Sequence, residues 1–443
     1  MKKRILCVLT AVGLLAAVLA VPSGATVYNS SNTVVVNAQG CDGAVYSKPA
    51  PLLRFRQDGS FKIMQVSDLQ ESYISSTITK EFLYDVAAAE RPDLVILTGD
   101  NIADSAMNWG THYVSNFFVK GAINSFMDVF DEIYRDFGTR VTMVFGNHDA
   151  ESAGITRAEQ FAIYAAHPSF VGYASDADNG TTGKNGPHYG THNLLVQDHN
   201  GKNAVFNLWM FDSGDYPADG IGAGYDGVQT PQIEWFEATN QAVGKLPSLA
   251  FQHIIVPEIY DFLTPAGQKD KNTFSRGFYQ YAAPGYGPGN LILKDGKPVS
   301  YTRYISKTLP VGTVGQINES PCPSNYNWGQ YAALNNSGNV LAMFFGHDHV
   351  NTFERQLPGT DLVNTSCCGF GSYGNIDIRG VRIINLKETD LTSYATHLVT
   401  YNDFYAGSGL RAARLSMFQL LFTPATIFDV ILFKPLLWVA GLF

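Results

Sequence analysis

Residues 94–101 read Leu94-Val95-Ile96-Leu97-Thr98-Gly99-Asp100-Asn101, and this octapeptide decides the fold class. A short uncharged run rich in β-branched residues reads as a strand. Gly99 then lets the chain turn sharply off the strand and present Asp100 just beyond its carboxyl end. Outward from this strand, helical stretches are expected at Thr77–Glu90 and Tyr113–Phe137, and neighbouring strands at Phe61–Val66 and Arg140–Phe145. Further strands are expected at Ala204–Phe211, Ala250–Val256 and Val340–Phe345, with helices at Pro231–Val243 and Trp328–Leu334. Strand–helix–strand alternation implies α/β layering, with ligands gathered at the carboxyl ends of the strands. Residues 172–203 and 260–330 are rich in Gly, Pro, Asn and Tyr and read as surface insertions shaping a cleft, not as separate domains.

Four other strand ends carry similar chemistry: Ser67-Asp68-Leu69-Gln70, Gly146-Asn147-His148-Asp149, Gln252-His253 leading into Val256-Pro257-Glu258, and Gly346-His347-Asp348-His349. Carboxylate, imidazole and amide oxygen are the ligands that hold borderline divalent or trivalent metals. A lone Asp after a strand is usually a helix cap. A lone His is more often structural, and Gly-Asn-His-Asp by itself is an ordinary turn. In Gly-His-Asp-His, however, His347 and His349 project to one side of an extended segment. Five such blocks, each at a strand end, make a joint signal that none carries alone.

With these blocks the sequence resembles the calcineurin-like metallophosphoesterase superfamily over about residues 58–390, and within it the purple-acid-phosphatase-like branch with yeast and plant members. The residues that carry the branch are Gly99-Asp100-Asn101-Ile102, Gly146-Asn147-His148-Asp149 with Glu151-Ser152 and Arg157, His253-Ile254-Ile255-Val256-Pro257-Glu258, and Gly346-His347-Asp348-His349-Val350-Asn351 before the glycine-rich Cys367–Gly374. The resemblance implies a four-layer α/β/β/α sandwich of two mixed sheets flanked by helices. It implies two divalent or mixed-valence ions (Fe, Zn or Mn) sharing a hydroxide that attacks the phosphorus in line. Asp68 and His349 would serve the first ion, Asn147, His253 and His347 the second, and Asp100 would bridge both. His148 would protonate the leaving oxygen, with Asp149 orienting its imidazole. Arg157 and Asn101 are candidates for phosphate contact or for support behind the ligands.

One position departs from the family pattern. The first motif normally reads Asp-x-His, and here the histidine is Gln70. The tyrosine that typical purple acid phosphatases place three residues beyond the bridging Asp is Ala103. An amide oxygen is a harder, weaker ligand than imidazole, so the first site should bind more weakly and favour Mn, Mg or Ca. The missing tyrosine predicts no purple colour.

The chain has 443 residues with a net charge of −9 and no Lys/Arg stripe beyond the extreme N-terminus, which argues against a nucleic-acid partner. Residues 1–25 read as a signal peptide, with Lys2, Lys3 and Arg4 before the apolar Ile5–Val21 and a cleavage site after Ala25; an uncleaved anchor is the alternative. Residues 26–52 form an irregular leader, 53–400 the catalytic domain, and 401–443 an apolar tail. Pro424, Asp429, Lys434 and Pro435 interrupt the tail, so interfacial membrane contact or packing on the domain competes with spanning and with a cleaved anchor signal. The expected location is the secretory pathway: secreted, in a lysosome-like compartment, or on the outer face of a membrane. There Cys41, Cys322, Cys367 and Cys368 could form two disulfides. Glycosylation sequons occur at Asn29, Asn179, Asn318, Asn335 and Asn364.

The function expected is hydrolysis of a phosphomonoester, on a phosphorylated small molecule or a phosphoprotein. The competing expectation, resting on Gln70, is a catalytically impaired surface protein that binds metal or phosphate.

Overall fold

The computed structural model describes residues 53–71, 77–102, 112–151, 155–175, 189–217, 224–268, 270–282 and 286–407. The signal segment, the leader, Cys41, Ala103, Asn29, Asn179 and the apolar tail lie outside the described residues.

In chain order the strands are β1 (Leu53–Arg54), β2 (Ser60–Val66), β3 (Leu94–Thr98), β4 (Arg140–Val144), β5 (His192–Gln197), β6 (Ala204–Phe211), β7 (Ser248–Gln252), β8 (Thr273–Tyr279), β9 (Leu293–Lys294), β10 (Lys297–Pro298), β11 (Ser300–Ser306), β12 (Val340–Phe345), β13 (Glu354–Arg355), β14 (Asp361–Asn364), β15 (Gly380–Lys387) and β16 (Asp390–Thr400). The described helices, numbered likewise, are α1 (Thr77–Glu90), α2 (His112–Phe137), α3 (Arg157–Ala166), α4 (Thr230–Ala242), α5 (Ile259–Phe262), α6 (Gln330–Ser337) and α7 (Tyr401–Phe404).

Two mixed sheets face each other. One has the order β1-β5-β6-β7-β12-β14-β13, the other β16-β15-β2-β3-β4. Alternation along each strand explains the layering. Phe61 and Ile63 of β2 and Leu94 and Ile96 of β3 enter a core shared with Leu208, Phe251 and Phe344 of the opposite sheet. Met64, Val66, Val95 and Leu97 point the other way, onto Phe82 and Leu83 of α1 and Phe126 and Phe130 of α2. On the outer face of the seven-stranded sheet, Trp209, Ala250 and Met343 pack against Trp235 and Phe236 of α4 and Leu334 of α6. Helix, sheet, sheet and helix thus form the four layers. Tyr401 and Tyr405 extend the first helical core beyond residue 400.

Arg382 fastens the sheets together. It is fully buried on β15, where its Nε donates to Thr365 Oγ1 at 2.9 Å and its Nη2 to Asn364 O at 3.0 Å, while Nη1 pairs with Glu354 of β13.

Several sequence expectations need correction. Residues 192–197 are not part of a surface insertion: β5 is buried and pairs antiparallel with β6. Its polar His192, Asn193 and Gln197 masked the strand; His192 Nε2 meets Thr142 Oγ1 at 2.7 Å and Asn193 Nδ2 donates to Asn207 Oδ1 at 3.0 Å. The strand expected at 250–256 ends at Gln252, just before His253. Cys322, Cys367 and Cys368 form no disulfide, so the two-bridge expectation is not met; Cys322 and Cys367 instead donate to the carbonyls of Ser320 and Tyr373. Asn364 is fully buried, with its amide donating to the carbonyls of Asp348 and Asn351, so that sequon is not open to a glycan. No described helix is long and apolar enough to cross a membrane.

Candidate metal centre

The five blocks leave the carboxyl ends of β2, β3 and the edge strand β4 in one sheet and of the central strands β7 and β12 in the other. Their turns are unusually tight. Among the described residues, seven that are not glycine have positive φ, and four of them are Asp68 (51°), Gln70 (43°), Asp100 (49°) and His347 (69°). Each left-handed residue of this kind costs on the order of 1 kcal/mol, so their concentration at one spot marks a place where geometry outranks stability. Two glycines make the approach feasible. A Cβ on Gly146 would collide with the Asp100 carboxylate, and one on Gly99 (φ 88°) would lie 2.7 Å from the His253 ring.

The side chains converge. Asp100, His253 and His347 bring one ligand atom each within 4.8 Å of one another, and so do Asp68, Asp100 and His349. Asp100 is common to both groups. Its Oδ1 accepts from His148 N at 2.8 Å, while Oδ2 lies 3.2 Å from His253 Nε2 and accepts from Gln70 Nε2 at 3.3 Å. Asn147 Oδ1 stands 3.2 Å from His253 Nε2. His253 Nδ1 is held by Thr98 O and His349 Nδ1 by Tyr373 O, each at 2.9 Å, which turns both Nε2 atoms into the shared pocket.

The donor set fits cations. His347 Nε2 and Asp68 Oδ1 are buried without a hydrogen bond, although His349 Nε2 stands 3.3 Å from the latter. Orphaned atoms of this kind are costly unless an ion or other partner completes them. Charge points the same way. Burial works against a charged His253 and a charged His349, yet Asp100 raises the former to about 9 and Asp68 the latter to about 11. The field that holds protons there would hold a metal ion equally well. Burial, helped by His253, pushes His347 down to about 3 and keeps it a neutral ligand.

Gln70 ends inside this pocket, with Nε2 3.4 Å from His349 Nε2. Its amide therefore occupies the region expected of the histidine it replaces, and the reversed amide would aim Oε1 inward.

Among neighbouring residues, Asp149 departs from its expected role, while Arg157 and Asn101 make supporting contacts. Asp149 does not orient His148. Its carboxylate accepts from the backbone of Asn101, Ile102 and Gly146 at 2.8–3.1 Å, lacing two turns together; burial, with Asp100 nearby, raises it to about 7. The carboxylate at His148 Nδ1 is Glu151, at 2.8 Å. Arg157 is largely buried and paired with Asp212, with Asp215 at 3.5 Å, so its guanidinium is already engaged by carboxylates. Asn101 is also buried, donating from Nδ2 to Val144 O at 3.2 Å. Sequence reasoning noted Glu151 only as part of the family pattern and missed its contact with His148, for which the i+3 spacing was the available signal. It also missed Tyr216, Tyr225 and Tyr373. Tyr225 packs its ring 4.3 Å from that of His347, and Tyr373 stacks on His349 at 4.1 Å. Among the other histidines, His167 is satisfied by Asp131 and Asn124, and His199 by Glu388.

Comparison with known proteins adds the following. A family model described as Calcineurin-like phosphoesterase matches residues 61–351. An Arabidopsis thaliana protein named Probable inactive purple acid phosphatase 14 is 26% identical over 369 residues, covering 76% of this chain and 77% of its own. Probable inactive purple acid phosphatase 29 of the same plant is 27% identical over 358 residues, covering 73% and 75%. A solved dimetal phosphatase from Danio rerio overlays with a TM-score of 0.39 at 12% identity, covering 77% of this chain and 99% of that one.

Proposed function

The chain belongs to the calcineurin-like phosphoesterase family, and on that premise we propose that it is an exported metal-dependent hydrolase of phosphomonoesters. The observation that carries this reading is the convergence of Asp68, Asp100, His253, His347 and His349 on one pocket around the Asp100 carboxylate. Asp68, His349 and Gln70 would hold one cation and Asn147, His253 and His347 a second, with Asp100 reaching both. Bound divalent or mixed-valence cations would supply Lewis-acid polarisation of the phosphate and an acidified water.

The protein's own part is orientation and proton delivery. The Asp100 carboxylate fixes the His148 backbone, and His148 Nε2 lies 3.9 Å from Asp100 Oδ2 at the pocket edge. An imidazolium there is placed to protonate the departing alcohol, a step worth typically 10²–10⁴-fold. Every charged side chain of the central blocks is an acid or a histidine, and Arg157 is already paired. Phosphate binding therefore falls to the cations. A substrate of low charge, such as a phosphorylated small molecule or a single phosphorylated side chain, suits that arrangement better than a polyanion. Export rests on the N-terminal signal segment, and membrane contact through the tail belongs to the same proposal.

A second reading has an observation in its favour. Gln70 replaces an imidazole, and the two plant relatives carry names that call them inactive. On that reading the pocket binds metal or phosphate without turnover. The test is to purify the mature chain, load it with Mn or Zn, and measure phosphate release from p-nitrophenyl phosphate and alkyl phosphates. Turnover abolished by Asp100→Ala and by His148→Ala supports the hydrolase. One ion or fewer per chain, with no ester cleaved, supports the binding protein.

A further inference from the structure

We propose that Glu151 and Tyr216 are positioning residues that set the direction of two groups at once: the imidazole of His148 and the amide of Asn147. This rests on His148 being the proton donor and Asn147 a metal ligand.

The geometry is a closed ring of hydrogen bonds. His148 opens a single 3₁₀ turn whose C-cap is Glu151, and the backbone N–H of Glu151 donates to His148 O at 3.1 Å. This turn brings the Glu151 side chain back over its own start, with Oε2 2.8 Å from His148 Nδ1. The other oxygen, Oε1, accepts the Tyr216 hydroxyl at 2.7 Å. That hydroxyl oxygen in turn accepts from Asn147 Nδ2 at 3.4 Å, and Asn147 is bonded through the chain to His148.

Donor and acceptor rules give the ring one sense. A carboxylate only accepts, so the Tyr216 proton points to Glu151 and leaves the phenol lone pairs for Asn147. The Asn147 amide then spends its N–H on Tyr216 and turns Oδ1, its only metal-binding atom, toward His253 and the pocket. The same carboxylate takes the Nδ1 proton of His148, so Nε2 is the nitrogen that faces the cleft. Tyr216 is braced for this task. It is 42% exposed, so its ring is not a core element, but it stacks on Tyr225 at 5.8 Å, and Tyr225 packs on His347. One acid thereby aligns both the amide of Asn147 and the imidazole of His148.

Glu151→Gln keeps the shape and destroys the sense, because an amide both donates and accepts. The experiment measures kcat and KM for wild type, Glu151→Gln, Glu151→Asp and Tyr216→Phe over a series from p-nitrophenyl through phenyl to alkyl phosphates. Metal stoichiometry, metal affinity and thermal melting are measured alongside. Protonation matters most for the poorest leaving group. Glu151→Gln is therefore expected to lower kcat on alkyl phosphates by about 10–100-fold and on p-nitrophenyl phosphate by less than about threefold, with KM and melting unchanged. Tyr216→Phe is expected to weaken the second metal by about tenfold, the lower range for loss of a group that orients a ligand. An equal loss of kcat across the series in Glu151→Gln, or unaltered second-metal affinity in Tyr216→Phe, overturns the proposal while leaving the hydrolase reading intact. No turnover by wild type on any ester overturns both.

Discussion

Replacing Gln70 with histidine tests the most unusual feature of the centre. Gln70 already reaches the pocket: its Nε2 donates to Asp100 Oδ2 at 3.3 Å and stands 3.4 Å from His349 Nε2. Its backbone is fixed in the left-handed region by a 2.8 Å bond from Gln70 N to Asp100 O, so the new side chain would start from the same place. An imidazole Nε2 would meet the pocket formed by Asp68, Asp100 and His349. Loss of a group that merely orients a ligand changes metal affinity by about 10–100-fold, so a direct imidazole in place of an amide should tighten the first site by at least about tenfold. That corresponds to about 1.4 kcal/mol. At saturating metal the same gain adds to folding stability, about 2 °C in melting temperature for a domain of this size. Calorimetric titration of metal-stripped wild type, Gln70→His and Gln70→Ala with Mn²⁺ should show two steps, of which only the weaker one sharpens in Gln70→His. If both steps stay put in Gln70→His, residue 70 does not address a metal and the assignment of the first site is wrong.

Three further outcomes follow from the same structure. Arg382→Leu should destabilise by about 3–5 kcal/mol in urea unfolding, because it strands Glu354 and the backbone carbonyls of Thr352 and Asn364; the double variant with Glu354→Leu should recover part of that loss, and no recovery would deny the pair its role. Gly146→Ala should cost more than about 3 kcal/mol, since its methyl must displace the Asp100 carboxylate, and should abolish metal binding in any protein that folds; a soluble, metal-binding Gly146→Ala would contradict the packing. Asp226 is raised to about 6 by burial, against hydrogen bonds from Gly227 and Gln229. The folded chain holds that proton more tightly than the unfolded chain. Stability contributed by the protonated form is therefore full below about pH 4 and lost as pH rises through 6, by about 2–3 kcal/mol. Asp226→Asn should flatten that part of the wild-type profile between pH 4 and 7, and an unchanged slope would remove the cause.

Much of the centre was legible because its rules are local. A glycine after an apolar strand, then a ligand residue, can be read within eight residues, as at Leu94–Asn101, and the helix at 77–90 has the bounds the pattern suggested. What stayed hidden depends on partners far away in the chain. Glu151 gains its meaning from Tyr216, which is 65 positions distant. Asp149, adjacent to His148, looked like the orienting acid, yet the 3₁₀ turn directs it to the backbone of residues 101, 102 and 146. Arg157 looked like a phosphate contact until Asp212 claimed it. Strand β15 was concealed by Arg382, a charge in the middle of an apolar run that becomes acceptable only when β13 and β14 supply its partners.

The centre draws from both halves of the sandwich. Asp68, Asp100 and Asn147 leave the five-stranded sheet, while His253, His347 and His349 leave the seven-stranded one. Each group of ligands thus straddles the seam, and any ion held there acts as a rivet between two plates. Metal affinity becomes a gauge of how well the plates fit. A cavity opened just beneath the pocket, where Phe251 stacks on Phe344 at 5.1 Å, would let the plates slide and blunt the grip on any bound ion without touching a single ligand.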